Sequence, residues 1–333
     1  MNEGFADLLG LFSELPVPAK GPFSYSAQAV PGRSACRVAK DEAGNPGLLV
    51  SVSPAAPAPP TTPFQLRYLS FQARSLCRIT SADNLSSEET LAVLKCTSND
   101  TILREFFLRS LSGAISALPA DPGENEISIL LGTLVELFRV LELPGKASLE
   151  GVWSELFLIC GAPNVNAAAS AWHADPHDLH DFVDGSQHIE VKSTLGSLRI
   201  HNFTLKQLLV PRGTNLVIAS MMLAESDHGW SIRDLWEQVC RRKDLTDTSR
   251  NRLSRILMVS LGRDWLEARR ARFDPDSAHR EIRVYPAEGV PRVDCEIPPS
   301  VSDVRFRSDL TNAAPLQLSQ LESQGGLFEA VFG

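Results

Sequence analysis

The sequence predicts a mixed α/β (α+β) fold, on three observations. Runs of alternating apolar and polar residues, FQLRYLSFQ (64–72), SLCRI (75–79) and ETLAVLKC (89–96), read as strands. Apolar residues at helical spacing mark 101–112 and 126–141. From 149 to 223, helical and strand-like segments alternate, as in a core of helices packed on a sheet. The resulting layout is an N-terminal β-rich domain over 1–120, an αβββαβ core over 121–230, and a helical and β extension over 231–333.

Residues 54–63, PAAPAPPTTP, read as a stiff extended linker or long loop. Asn99 and Asp100 are candidate caps for a helix ending near Ser112, just before Gly113. EISILLGTLVELFRVL (126–141) reads as an apolar helix ended by Pro144 and Gly145. Ser148 can cap the helix LEGVWSELFLICG. Short strand-like runs follow around Ala171–Trp172, at 179–183 and at 188–194, with Asp184-Gly185 as a tight-turn signal. A further run, SLRIHN, leads into a helix over 204–210, and NLVIASMML (215–223) reads as a buried strand. Residues 231–270 read as helical, EIRVYP, RVDCEIP and DVRFRSDL as short strands, and the tail from Thr311 as loosely held.

Apolar residues make up 43% of the 333, enough for a core and against global disorder. No secretory signal and no apolar run of the ~20 residues that span a bilayer is present, so a cytoplasmic protein without membrane association is expected. The six cysteines are scattered without a C-x-x-C pair, which argues against a thiolate zinc finger. The net charge of −8 argues against a non-specific nucleic-acid coat. Ten basic and four acidic residues between Arg241 and Arg272 nevertheless form a local basic stretch. Its alternatives are a solvated helix face and a DNA-contacting face, with Arg250 and Arg252 as candidates on the latter.

The informative stretch is HDFVDGSQHIEVK (180–192). A hairpin turning at Gly185-Ser186 sets 184 opposite 187, 183 opposite 188, 182 opposite 189 and 181 opposite 190. Asp181 and Glu190 then share one face, and strand alternation adds Lys192 to it. Adjacent carboxylates repel, and a divalent cation removes that cost. Hard oxygen donors suit Mg²⁺ or Mn²⁺, which also bind phosphate, and a neighbouring lysine can position water and neutralise charge on phosphorus. Phosphodiester hydrolysis is the chemistry this set fits. Asp184, in the turn, is the poorer acidic candidate.

At these residues the sequence resembles the PD-(D/E)XK superfamily, the restriction-endonuclease-like nucleases, whose D…E-x-K motif sits on a hairpin. Gly151-Val152-Trp153-Ser154-Glu155 matches the G-x-x-x-E helix motif of many members. GVWSELFLI, Ala171-Trp172-His173, HDFVDG, IEVKST and RIHNFTLKQL together resemble a bacterial PD-(D/E)XK-motif family of restriction and phage-defence gene clusters. The likeness is sharp over about 147–210, and His180 stands where the motif often has proline. The resemblance implies an Mg²⁺- or Mn²⁺-dependent DNA endonuclease, or a nuclease subunit, with Asp181, Glu190 and Glu155 as metal ligands and Lys192 as a catalytic residue. Ser193 and Thr194 read either as phosphate contacts or as plain strand formers, and His201 and Gln207, which resemble the family's positions after the third strand, read as DNA contacts, site-orienting groups or ordinary polar packing. The resemblance also implies protein partners, namely a helicase-like protein or a MORC- or MutL-like ATPase, and leaves a homodimer open.

A non-catalytic DNA-binding or scaffold subunit is the rival reading, favoured by the low net basicity. A weaker third is a zinc site built on His173, His177 and His180. His180 is expected on the face opposite Glu190, and His188 on the same face. Trp153 and Trp172 read as core rather than as base-stacking platforms.

Overall fold

Strict alternation of apolar and polar side chains from Leu69 to Thr80 buries every second residue of one long strand. In the computed structural model, residues 7–51, 63–81, 85–116, 118–119, 124–145, 147–173, 179–295, 297–298 and 300–333 are described, so the Pro-rich stretch and His177 lie outside the described residues. The chain forms two units, Met1–Leu143 and Pro144–Gly333.

The first unit opens with α1 (Leu8–Glu14), capped by the Asp7 carboxylate. Strands β1 (Ser24–Val30), β2 (Arg33–Asp41), β3 (Pro46–Ser51), β4 (Phe64–Gln65), β5 (Leu69–Thr80) and β6 (Ser86–Cys96) follow, then α2 (Thr101–Ser116) and α3 (Glu124–Arg139). The sheet order is β1-β2-β3-β6-β5-β4, and β1 also pairs in parallel with β5, which closes five strands into a barrel. Tyr25, Ala27, Ala39, Leu49, Cys77, Ile79, Leu91 and Val93 form one buried core there. The strands β1–β3 were not anticipated. The runs 69–72 and 75–79 are one strand, irregular where it pairs with β6 between Gln72 and Ser75. Asp100 caps α2 through Ile102 N at 2.8 Å, but the helix continues past Gly113 to Ser116. An interior glycine costs a helix only about 1 kcal/mol, too little to end it.

The second unit begins with α4 (Leu149–Gly161) and α5 (Val165–Ala171). Then come β7 (Phe182–Asp184), β8 (Gln187–Thr194), β9 (Ile200–Thr204), α6 (Leu205–Leu208), β10 (Asn215–Met222) and β11 (Glu225–Ser231). Helices α7 (Ile232–Arg241), α8 (Asp247–Leu261) and α9 (Trp265–Ala268), β12 (Arg272–Phe273), α10 (Pro275–Glu281), β13 (Arg283–Pro286) and β14 (Arg305–Asp309) lead to α11 (Leu318–Glu322) and α12 (Gly326–Phe332). A four-stranded mixed sheet has the order β13-β10-β8-β7, with β8 parallel to β10 and antiparallel to β7. Two helices, α4 and α5, precede β7, β8 and β9, and α6 precedes β10; β9 pairs with β14 in its own ladder, and β13 takes the fourth place in the sheet, so the expected αβββαβ core is not reproduced as one sheet.

Two expectations are corrected. Ala171–Trp172 is the end of α5, and Trp172 makes only an isolated bridge to Phe182. The small residues of VNAAASA allow the helix to pack closely, burying Ala168, Ala169 and Ala171. The tail is not loose: Leu327, Phe328, Ala330 and Val331 of α12 are buried, and Gln187 on β8 bonds to Gly325 O and Phe328 N.

Candidate active site

The hairpin forms in the expected register, Phe182↔Ile189, Val183↔His188 and Asp184↔Gln187. Gly185 takes the turn at φ +58°, a conformation that favours glycine. Phe182 and Ile189 are fully buried and anchor the hairpin, whereas Asp184 is exposed. Asp181 sits one residue before β7. Its Oδ2 accepts the Val191 amide at 2.7 Å, and its carbonyl accepts the His173 amide at 2.7 Å.

Glu155 arrives from α4, whose residues Val152–Leu156 are all buried, so the carboxylate has little access to water. Its Oε2 accepts the Trp172 indole N–H at 2.7 Å and lies 3.1 Å from His173 Nε2. His173 adopts φ +44°, a left-handed conformation that a non-glycine residue holds only when its surroundings impose it. Arg252 of α8 supplies part of that constraint, donating to the carbonyls of Ala169, Trp172 and His173. Ligand atoms of Glu155, His173 and Asp181 all lie within 4.8 Å of one another.

Glu190 is only 2% exposed. Its Oε1 meets Lys192 Nζ at 2.6 Å and also accepts the Gln207 side-chain amide. Its Oε2 is buried without a hydrogen-bond partner among the described residues. Lys192 shares the strand face, as expected, with Nζ 5.2 Å over the Phe203 ring. Burial holds the Asp181 carboxyl well above its usual range, and the charges of Glu190 and Glu155 push it the same way. Burial also raises Glu190, against the opposing pull of Lys192.

Gln207 joins this group through the capping of α6. Its Oε1 accepts Thr204 N at 2.9 Å, while its amide reaches Glu190. His180 also lies on the Glu190 side, not opposite it. Its Nδ1 is 2.9 Å from His188 Nδ1, and its Nε2 donates to Gln207 O at 2.8 Å. The chain bends at 179–181, so strand alternation does not extend to His180. In the neutral pair, His188 must then carry the Nδ1 proton and donate it to His180.

His201 packs inside, with Nε2 2.8 Å from Ser220 Oγ. Burial, with Lys192 and Arg199 nearby, lowers its pKa to about 4 and keeps it neutral. Ser193 and Thr194 are half-buried at the end of β8, where Thr194 Oγ1 accepts Gly196 N at 3.0 Å. Arg250 donates to Asp247 and to Cys240 O, each at 3.1 Å. The structure thus gathers Glu155, Asp181, Glu190, Lys192 and Gln207, and gives Arg250, Arg252 and His201 intramolecular partners. Sequence reasoning did not assign His173 to the acidic cluster. Its place eight residues before Asp181 and next to Trp172 was the available signal.

The donor set fits a divalent cation. Carboxylate oxygens face one another in a largely shielded site, an imidazole stands beside them, and one buried oxygen of Glu190 has no partner among the described residues. No curated protein and no solved structure matches the chain. The family model described as "Putative PD-(D/E)XK family member" (DUF4420) matches residues 10–311. That match spans most of the chain, and the protein belongs to this family.

Proposed function

We propose that the chain is a divalent-metal-dependent deoxyribonuclease of restriction-endonuclease-like core architecture, acting as an endonuclease or as the nuclease subunit of a prokaryotic restriction or anti-phage system. One observation carries the reading: buried Glu155 and Glu190 and half-buried Asp181 lie within reach of one another's charge, with Lys192 against Glu190. Such a group is costly as mere scaffolding, because buried like charges repel.

Asp181, Glu190 and Glu155 would hold Mg²⁺ or Mn²⁺. When bound, the ion supplies Lewis-acid charge for the phosphodiester and lowers the pKa of water. The chain's own residues do the rest. The Val191 amide fixes the Asp181 carboxylate. Gln207 holds Glu190 Oε1, which leaves Oε2 for the ion. Lys192, half-shielded against Phe203, presents an ammonium that positions the attacking water and offsets charge gathering on the phosphoryl oxygens. Net charge −8 and the internal engagement of Arg250 and Arg252 support a nuclease that borrows phosphate contacts from a partner, such as the helicase-like or MORC- or MutL-like proteins of defence clusters.

The test is a cleavage assay on varied DNAs with Mg²⁺ or Mn²⁺, with and without the products of neighbouring genes. Cleavage should vanish in Glu190→Ala and in Lys192→Ala while the melting temperature is retained. Cleavage that persists in both overturns the proposal.

A further inference from the structure

We infer that His173 is a metal ligand, and that it gives the site a preference for first-row transition-metal ions over Mg²⁺. This rests on the metal site proposed above and adds to it a nitrogen donor.

His173 itself stands outside the D…E-x-K motif. Ligand atoms of His173, Glu155 and Asp181 lie within 4.8 Å of one another. The backbone around His173 is held on both sides: its amide donates to Asp181 O at 2.7 Å, and its carbonyl accepts from Arg252. Those bonds fix a left-handed residue, φ +44°, with its ring against the acids. Glu190 Oε2 is buried without a hydrogen-bond partner among the described residues. The Trp172 N–H orients the Glu155 carboxylate, as partners behind a ligand do in metal sites.

The chemistry follows from the donor type. Mg²⁺ prefers oxygen ligands in near-ideal octahedral geometry and retains its waters. An imidazole nitrogen adds far more affinity for ions later in the first transition row. The set of two carboxylates, one imidazole and a third carboxylate nearby therefore discriminates between ion classes, which an all-carboxylate set does less well.

The experiment uses the full chain without a histidine tag. Mn²⁺ and Co²⁺ are titrated into wild type, His173→Gln and Asp181→Asn, with Mg²⁺ as competitor, and bound Mn²⁺ is examined by pulsed electron paramagnetic resonance. Wild type should show directly coordinated ¹⁴N coupling and bind Co²⁺ at least about tenfold more tightly relative to Mg²⁺ than His173→Gln does. The nitrogen signal is read on wild type, so it stands even if the variant folds poorly. Mn²⁺ that binds, depends on Asp181 and shows no nitrogen coupling overturns the assignment of His173 and leaves the metal site standing. Absence of Mn²⁺ and Co²⁺ binding overturns both.

Discussion

Asp41 in the first unit and Asp181 in the second are both shielded acids, yet they are treated in opposite ways. The Asp41 carboxylate accepts Ala43 N at 2.9 Å, Asn45 N at 2.7 Å and Asn45 Nδ2 at 3.1 Å, and pairs with Lys95 at 3.2 Å. It closes the β2–β3 turn, and each of these contacts brings an N–H or an ammonium to the carboxylate. Asp100, also buried, caps α2 in the same manner. Asp181 receives one backbone amide and faces two other carboxylates. In the barrel unit, burial of an acid builds a turn or a helix end. In the second unit it leaves charge unresolved. That difference separates a structural acid from a functional one better than burial alone.

The largest expected effect that tests this contrast is catalytic. Glu190→Ala should lower DNA cleavage by at least about 10²–10³-fold, as loss of a charge-stabilising group does, while Asp41→Ala leaves the rate of folded protein unchanged. Initial rates normalised to folded protein check it, and equal losses in both would erase the distinction. Next, Asp41→Ala should destabilise the chain by about 2–3 kcal/mol, since it strands buried amides, and the guanidinium midpoint reads this directly.

A smaller effect is expected for Trp172→Phe. It keeps an aromatic ring, deletes the N–H on Glu155 and leaves a void where the buried indole stood, and should weaken Mn²⁺ binding by about tenfold in calorimetry; undiminished affinity would make that hydrogen bond incidental. The smallest concerns pH. The folded chain binds the Asp181 proton more tightly than the unfolded chain, so stability without metal falls as pH rises from about 4 through the raised folded value. The penalty is fully present above that value. Asp181→Asn in a chelating buffer should therefore melt a few degrees higher than wild type near pH 8, with a flatter pH profile. A lower melting point there would show Asp181 to be a structural acid like Asp41.

Part of this site was legible because it is local. An Asp-Gly turn and period-two alternation determine that 182–184 oppose 187–189 and that Glu190 and Lys192 share a face, whereas Asp181 lies in the bend before β7, outside the ladder that spacing predicts. Ser148 as the cap of α4 was readable for the same reason. The partnership of Glu155 with Trp172 and His173 was not. It joins residues 17 and 18 positions apart through a left-handed turn that no periodicity announces. Strands β1–β3 escaped because Ser, Ala and Gly supply much of their length, and the hydrophobic signal is weak. The helix α12 escaped because its LFEAVF core is short and sits among polar residues.

The clasp of Gln187 by Gly325 and Phe328 has a kinetic consequence. Those bonds span 138 and 141 positions along the chain. Closing so long a loop costs entropy before any contact rewards it, so hairpins with partners this distant gain their final packing late in folding. The docking of α12 on Gln187 is thus expected among the late steps in the folding of this unit, after β8 has paired with its nearer neighbours β7 and β10.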